Sequence, residues 1–452
     1  MVERITPRTL KGFRDFIPEM MLPRERLIDI AKAVYRSYGF APIETPALEH
    51  SEILLRKGGV ESDKQLYRFN DPGGRDVALR FDLTVPLARF VAQHLGTLGM
   101  PFKRYHVGPV WRGENTQRGR YREFVQCDFD TIGTSSVLAD IETVLVIHDL
   151  FNAFGFERFT IRINDRRVLA GLLERIGLET DSIAVLRAID KIRKAGPSAV
   201  QEELEFSCGA TSAQAEKILR FLQVNGSNEE LLIEMEDIVQ GSDEGQDGID
   251  DLSALFKGIK AAGADTSKFQ LDPSIARGLD YYTGVVYETF LDDLPEIGSC
   301  CSGGRYDNLA AVYSKEELPG VGASLGVDRL LVAMTELGMI EKRSVPAEVL
   351  VTIFDDERAV TSLEIAAELR RAGVDVELYP DARRLRAQLR YANRKGHRVA
   401  VIVGPEEMEA GTVQLKDLLS GSSQEVQRID LVSACCEITD PIDSADTPEV
   451  SR

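Results

Sequence analysis

Apolar side chains at Leu27, Ile30, Ala31, Val34 and Tyr38 recur at helical spacing, which predicts an amphipathic helix over 24–38 closed by Gly39. Residues 41–48 follow as an extended segment, because Pro42 and Pro46 forbid a helix and limit a strand to an edge or an interface. A hairpin is predicted over 65–69 and 77–83, turned by Asp71-Pro-Gly-Gly74. Its second strand runs into Arg80-Phe-Asp-Leu-Thr84, with Asp82 and Thr84 on one face, and Thr84 or its neighbour caps a helix over 85–95. Residues 103–130 then read as strand, polar loop, strand. In the second of these strands Val125, Cys127 and Phe129 point one way, while Phe124, Gln126, Asp128 and Asp130 point the other. At about 3.3 Å per residue, Gln126 and Asp130 stand about 13 Å apart, a span that suits two ends of one small ligand. A helix over 137–154 and a strand over 159–163 complete this stretch.

From 167 to 267 the patterns are helical, and 241–248, with three glycines, reads as a turn or flexible loop. Strands return at 285–291, 298–303 and 320–327, the last leading into a helix over 328–337. Residues 341–346 read as a linker. Residues 347–417 alternate strand and helix, which predicts a small α/β domain with a mixed or parallel sheet. The expected organisation is therefore a domain over 1–340 interrupted by a helical insertion at 167–267, a second domain over 347–432, and a disordered acidic tail at 433–452.

Composition narrows the class. A chain of 452 residues is too long for one core. No apolar run opens it, and no stretch is long enough to cross a bilayer, so neither a secretory leader nor a membrane span is expected. The six cysteines include the adjacent pairs Cys300-Cys301 and Cys435-Cys436, without zinc-ligand spacing, and the five histidines lie far apart. A reduced, cytoplasmic scaffold without a metal site is expected. The net charge of −19 argues at first against a nucleic-acid partner. Its distribution reverses the argument: 226–252 holds ten acids and no base, whereas 379–398 holds seven bases and one acid.

Four stretches could bear chemistry. The loop of the central hairpin holds Arg112, Glu114, Arg118, Arg120 and Arg122. Arginine is a permanently charged, planar fork that fits phosphate, although such a loop taken alone reads first as a solvated turn. Arg277-Gly-Leu-Asp-Tyr-Tyr-Thr-Gly284 puts two adjacent tyrosines on opposite sides of a strand, one able to line a pocket; two core tyrosines are the plainer reading. Ser302-Gly-Gly-Arg-Tyr-Asp307 reads as a glycine turn that lets a ligand approach backbone, and it lacks the spacing of a phosphate loop or dinucleotide fingerprint. Gly320-Val-Gly-Ala-Ser-Leu-Gly-Val-Asp-Arg329 is a strand of small residues entering a helix, able to admit a flat base while Arg329 reaches a phosphate. It reads equally as a tight packing corner. Trp111 reads as core.

Together these stretches resemble the histidyl-tRNA synthetases, which are class II aminoacyl-tRNA synthetases built on an antiparallel sheet. The resemblance runs from Lys11-Gly-Phe-Arg-Asp15 to Lys416. Pro46 falls in the first class motif, residues 105–130 in the second and 320–330 in the third. Arg277 to Tyr282 and Ser302 to Asp307 resemble the two signatures peculiar to the histidine enzyme. The fold so implied is α+β: an antiparallel catalytic domain with a helical insertion, then an α/β anticodon-binding domain. The activity implied is ligation of L-histidine to tRNA(His) through histidyl-adenylate, using ATP with Mg²⁺, in a cytoplasmic homodimer. By the same resemblance Asp82 and Thr84 hold the amino group of histidine with Gln126 beside them, and Leu83 belongs to the same histidine-binding set. Asp130, Tyr281 and Tyr282 form the side-chain pocket. Arg112 and Arg277 serve the reacting carboxylate and α-phosphate, Glu114 the adenine side, Arg329 the γ-phosphate, and Gln117 and Arg120 the acceptor stem. Asp82 and Asp130 stand where many bacterial members have glutamate, as in the branch that contains the eukaryotic cytosolic enzymes, so the pocket must be drawn in or bridged by water. Two other classes share parts of the pattern. The non-catalytic regulatory subunit of ATP phosphoribosyltransferase typically lacks the intact Arg277-to-Tyr282 signature and the C-terminal domain. A stand-alone tRNA-binding module would not need the full set of ATP and histidine residues. In the C-terminal region, Leu385, Leu389 and Ala392 predict an apolar helix stripe, with Arg386, Arg390 and Arg394 forming a basic ridge that reads as an RNA phosphate contact or as a solvated face.

Overall fold

The computed structural model describes residues 5–55, 65–178, 182–189, 191–224, 226–275, 281–340 and 344–439. They form two compact units, Met1–Arg14 with Arg26–Leu337, and Asp15–Glu25 with Gly338–Arg452.

The two longest strands lie within residues 102–132, and the rest of the first unit is arranged about them. In chain order its main elements are α1 (Pro18–Ser37), β1 (Ala41–Pro42), β2 (Leu48–His50), β3 (Arg68–Asn70), β4 (Asp76–Leu79), α2 (Thr84–Leu98), β5 (Phe102–Trp111), β6 (Glu123–Ile132), α3 (Val137–Ala153), β7 (Phe159–Asp165), α4 (Arg166–Ile176), α5 (Asp243–Ala261), β8 (Phe269–Leu271), β9 (Val285–Leu291), β10 (Cys301–Tyr306), β11 (Gly320–Gly326) and α6 (Val327–Glu336). Eight strands form one sheet in the order β1-β5-β6-β11-β10-β9-β7-β8. Every pairing in it is antiparallel except at its edges, β1 with β5 and β7 with β8. The architecture is thus α+β. One face is closed by α1: Tyr35 is wholly buried, packs its ring 5.0 Å from that of Phe129 and donates its hydroxyl to the carbonyl of Cys127. Burying each such aromatic side chain stabilises the fold by about 1.5–3 kcal/mol. On β10, Arg305 ion-pairs with Asp140 of α3 in the interior. The opposite face is left for the site.

Local chemistry departs from the sequence-based expectation at several points. The second strand of the first hairpin ends at Leu79, not at 83. The N-cap of α2 is Leu83, the neighbour of Thr84, which supplies no side-chain cap; one residue earlier, Asp82 Oδ1 accepts from the N–H of Val85 at 3.1 Å. Residues 301–306 are strand rather than turn. Gly303 and Gly304 serve packing there: a Cβ on Gly303 would lie 2.2 Å from the Gly322 carbonyl, and one on Gly304 2.6 Å from that of Val285. Residues 243–248 are the first turns of α5, capped by Ser242, not a flexible loop. Gly245 lets α5 meet α4 closely, since a Cβ on Gly171 would stand 2.7 Å from the Cα of Gly245. Trp111 is only half-buried, its indole N–H donating to Glu123.

The second unit has β12 (Val349–Val351), α7 (Ala359–Arg371), β13 (Val376–Leu378), α8 (Leu385–Lys395), β14 (Val399–Ile402), β15 (Thr412–Asp417), β16 (Ser423–Gln427) and α9 (Leu431–Thr439). Its sheet, in the order β13-β12-β14-β15-β16, is parallel across the first three strands and antiparallel beyond, so mixed. Its core gathers Val349, Val351, Ile365, Leu369, Val399, Val401, Val413 and Leu415. The expected disorder from 433 onward is corrected as far as Thr439: α9 buries Leu431, Ala434 and Cys435. Residues 440–452 lie outside the described residues.

Candidate active site

Period-two alternation aims Gln126 and Asp130 of β6 at the open face, and strand register extends them into rows. Directly across from Asp130 stand Arg104 on β5 and Gly322 on β11, and Gly304 on β10 follows Gly322. A cavity of about 420 Å³ opens over this floor. Asp82, Thr84, Gln126, Asp130, Tyr281 and Tyr282 line it together with Arg112, Glu114, Arg120 and Arg329. Of the residues singled out in the sequence, Leu83 and Gln117 do not line it. Leu83 precedes α2 and is buried, while Gln117 is exposed and exchanges two backbone hydrogen bonds with Arg120. Arg277 lies outside the described residues. Arg118 does not line the cavity, because it pairs with Glu336 and Glu296. Arg122 does not either; it donates to the carbonyls of Glu114 and Lys11.

The end of the cavity at Asp82 is acidic and starved of donors. Asp82, Gln126 and Asp130 are all buried, and Asp82 Oδ2 and Gln126 Oε1 accept no hydrogen bond. A buried acceptor without a donor costs about 1–3 kcal/mol, so the pair favours a ligand that brings N–H groups. Burial raises the Asp82 carboxyl to about 6, against the pull of the Val85 N–H, Arg112 and Arg104. Burial likewise raises Asp130, opposed first by Arg104. Tyr306 donates its hydroxyl to Asp130 Oδ1, and the rings of Tyr281 and Tyr282 meet edge to face at 5.0 Å, with Tyr306 5.8 Å from Tyr281.

Elsewhere the lining carries arginines among further carboxylates. Arg112 is steadied by donating Nε to the Phe81 carbonyl at 2.9 Å and by the face of Phe124 at 5.2 Å. Arg329, on the first turn of α6, donates to the carbonyl of Ser299. Asp328 beside it accepts from the backbone N–H of Val125 at 2.8 Å and pairs with Arg14 at 2.7 Å, which ties α6 to β6. One cavity therefore offers acids and an amide for a cationic group, aromatic walls, and arginines for phosphate.

Tyr306, Arg104 and Gly322 were not singled out from the sequence. Tyr306 lies inside the Ser302-to-Asp307 stretch, and strand alternation there would have set it on the face of Ser302 and Gly304. Arg104 stands four residues from Gly108 on a strand whose register to Asp130 only the fold supplies.

The model of a family described as histidyl-tRNA synthetase matches residues 12–330, and one described as anticodon binding domain matches 348–438. A histidine–tRNA ligase of Rhodopirellula baltica is 54% identical over 422 residues, covering 93% of this chain and 96% of that one. The histidine–tRNA ligase of Wolinella succinogenes is 47% identical over 422 residues, with the same 93% and 96% coverage. The crystal structure of histidyl-tRNA synthetase from Nostoc sp. PCC 7120 superposes with a TM-score of 0.88 at 36% identity, spanning 97% of this chain and 100% of that one. The mostly antiparallel sheet agrees with class II aminoacyl-tRNA synthetases. The chain belongs to the histidyl-tRNA synthetase family.

Proposed function

We propose that this chain activates L-histidine with ATP and transfers it to tRNA(His). The observation that carries the reading is the single cavity that combines unpaired buried acceptors at Asp82 and Gln126, tyrosine walls, and Arg112 and Arg329. In the first step the histidine carboxylate attacks the α-phosphorus of ATP; the bond to the β-phosphate oxygen breaks, leaving histidyl-adenylate and pyrophosphate. The nucleophile is already an anion, so the protein's task is to align two anions and offset growing negative charge. Asp82, Thr84 and Gln126 take the α-ammonium group. Asp130 accepts from the imidazole N–H, with Tyr281 and Tyr282 around the ring. Arg112 meets the carboxylate and α-phosphate, Glu114 the adenine side, and Arg329 the γ-phosphate. Arg277 is assigned to the α-phosphate by resemblance alone. Mg²⁺ bound with ATP would offset phosphate charge, and the carboxylates of Glu114 and Glu288 in the cavity lining would help to hold it. In the second step the terminal ribose hydroxyl of tRNA(His) attacks the adenylate and AMP leaves. Gln117 and Arg120, in the loop beside the cavity, meet the acceptor stem.

The domain assignment follows the same reading: a catalytic domain over 1–340 with its helical insertion at 167–267, and an anticodon-binding domain over 347–432 whose exposed Arg386, Arg390 and Arg394 meet RNA phosphate. Homodimerisation is supported by the proline-bearing segment around Pro46 and by Leu48 and Phe69, both exposed on one face of the small sheet β2-β4-β3. The chain is read as cytoplasmic, and no described helix is long and apolar enough to cross a membrane. Incubating the purified protein with ATP, histidine and tRNA(His) should give histidyl-tRNA. Stimulation of an ATP phosphoribosyltransferase without any charging would refute the reading in favour of a regulatory paralogue.

A further inference from the structure

Arg104 is the largest side chain that the described residues bury completely, and no step above uses it. It does not line the cavity. Its Nη2 stands 2.5 Å from Asp130 Oδ2 and 3.5 Å from the Leu83 carbonyl, and its Nη1 stands 3.5 Å from the carbonyl of Asp128. One guanidinium thus joins β5, β6 and the segment entering α2, next to the carboxylate that faces the ligand. Removing a charge this large from water is costly unless its partners are fixed, and buried ion pairs do not in general strengthen a fold. A role in function accounts better for its presence.

We infer that Arg104 is a positioning residue for histidine recognition, holding the Asp130 carboxylate through Oδ2 as the acceptor for the imidazole N–H. The inference rests on the reading that this cavity takes histidine. Aspartate has less reach than glutamate, and here three strands fix it. Tyr306 of β10 donates to Oδ1, Arg104 of β5 meets Oδ2 as an ion pair outside hydrogen-bond geometry, and the absent side chain of Gly322 on β11 leaves the room that Oδ1 fills, where a Cβ would lie 2.3 Å away. Each carboxylate oxygen keeps a further lone pair for a ligand donor. Without Arg104, burial would drive Asp130 neutral, and a neutral acid is a poorer acceptor. The pair Arg104–Asp130 carries no net charge, so it suits the neutral imidazole over the imidazolium. Other charges near it are few. Asp128 shares β6, and burial raises it to about 7, with Asp130 and Asp82 adding and Arg104 opposing. His106, opposite Asp128 on β5, is lowered to about 3 by burial and by Arg104 and Arg80, so it adds no cation. Tyr282 and Tyr306 are both raised and stay neutral.

The test is histidine-dependent ATP–pyrophosphate exchange with wild type, Arg104→Met, Arg104→Lys, Asp130→Asn and the double variant Arg104→Met/Asp130→Asn. Arg104→Met should raise the histidine KM by roughly 10²-fold with the ATP KM within about twofold, and Arg104→Lys should recover part of that loss by restoring charge. The double variant should fall far short of the product of the two single losses and lie close to Asp130→Asn alone, because Arg104 acts chiefly through that carboxylate. The comparison with Asp130→Asn holds even if Arg104→Met alone does not fold, since the double variant leaves no carboxylate at position 130 deprived of its cation. Equal losses for histidine and ATP, an unchanged histidine KM, or a double variant much worse than Asp130→Asn would overturn the inference. A wild-type protein without histidine-dependent exchange would instead refute the histidine reading itself.

Discussion

Asp128 shows what the site's electrostatics demand of the fold. It is buried beside Asp130, its carboxyl raised by burial from 3.8 to about 7. Between those values the folded chain holds a proton that the unfolded chain has released. This contribution to stability is full below about pH 4 and is lost as pH rises through about 7. Replacing Asp128 by asparagine removes the ionisation, so the variant should gain on wild type at pH 8, on the order of 1–3 kcal/mol, and lose that advantage as pH falls to about 4. Thermal unfolding at the two pH values checks this; a gain independent of pH would mean that folding leaves the Asp128 carboxyl unshifted. At this scale much of the candidate site was legible. Alternation alone set Gln126 and Asp130 on one face, and the loop chemistry pointed to Arg112. Arg104 and Tyr306 were not legible, because their importance lies in meeting Asp130 across strand pairs far apart in the chain.

Elements were legible where a single period runs long, as in β5, β6 and α3, and illegible where glycine has a tertiary purpose. Gly303 and Gly304 resemble a turn, yet they let β10 lie against β11 and β9. Gly245 and Gly248 resemble a loop, yet they let α5 approach α4. The arginine helix α8 mixes both outcomes. Arg386, Arg390 and Arg394 are exposed in a row, but the deepest polar anchor is Gln388, absent from the expected stripe, whose amide exchanges hydrogen bonds with both backbone groups of Ile353. Leu385 and Leu389 are only half-buried. Reversing the three arginines to glutamate should therefore spare the fold and ATP–pyrophosphate exchange while weakening tRNA(His) binding and flattening its salt dependence. The logarithmic slope should fall by about 0.7–0.9 for each RNA phosphate that is no longer neutralised. Unchanged tRNA affinity and salt slope in filter binding would make the ridge an ordinary solvated face.

At the scale of the whole molecule, a net charge of −19 coexists with a basic helix in one unit and an arginine-bordered cavity in the other, so overall sign says little about partners. The exposed Leu48 and Phe69 predict a dimer at micromolar concentration in analytical ultracentrifugation, and a fully active monomer would remove that assignment. The most direct test of histidine activation is ATP–pyrophosphate exchange measured with each of the twenty amino acids in turn. Exchange that depends on histidine, with every other amino acid at least about 10²-fold less effective in kcat/KM, is the predicted result, because the buried acceptors reward a ligand that supplies matching donors. Exchange driven equally by another amino acid, or no exchange with histidine, would contradict it.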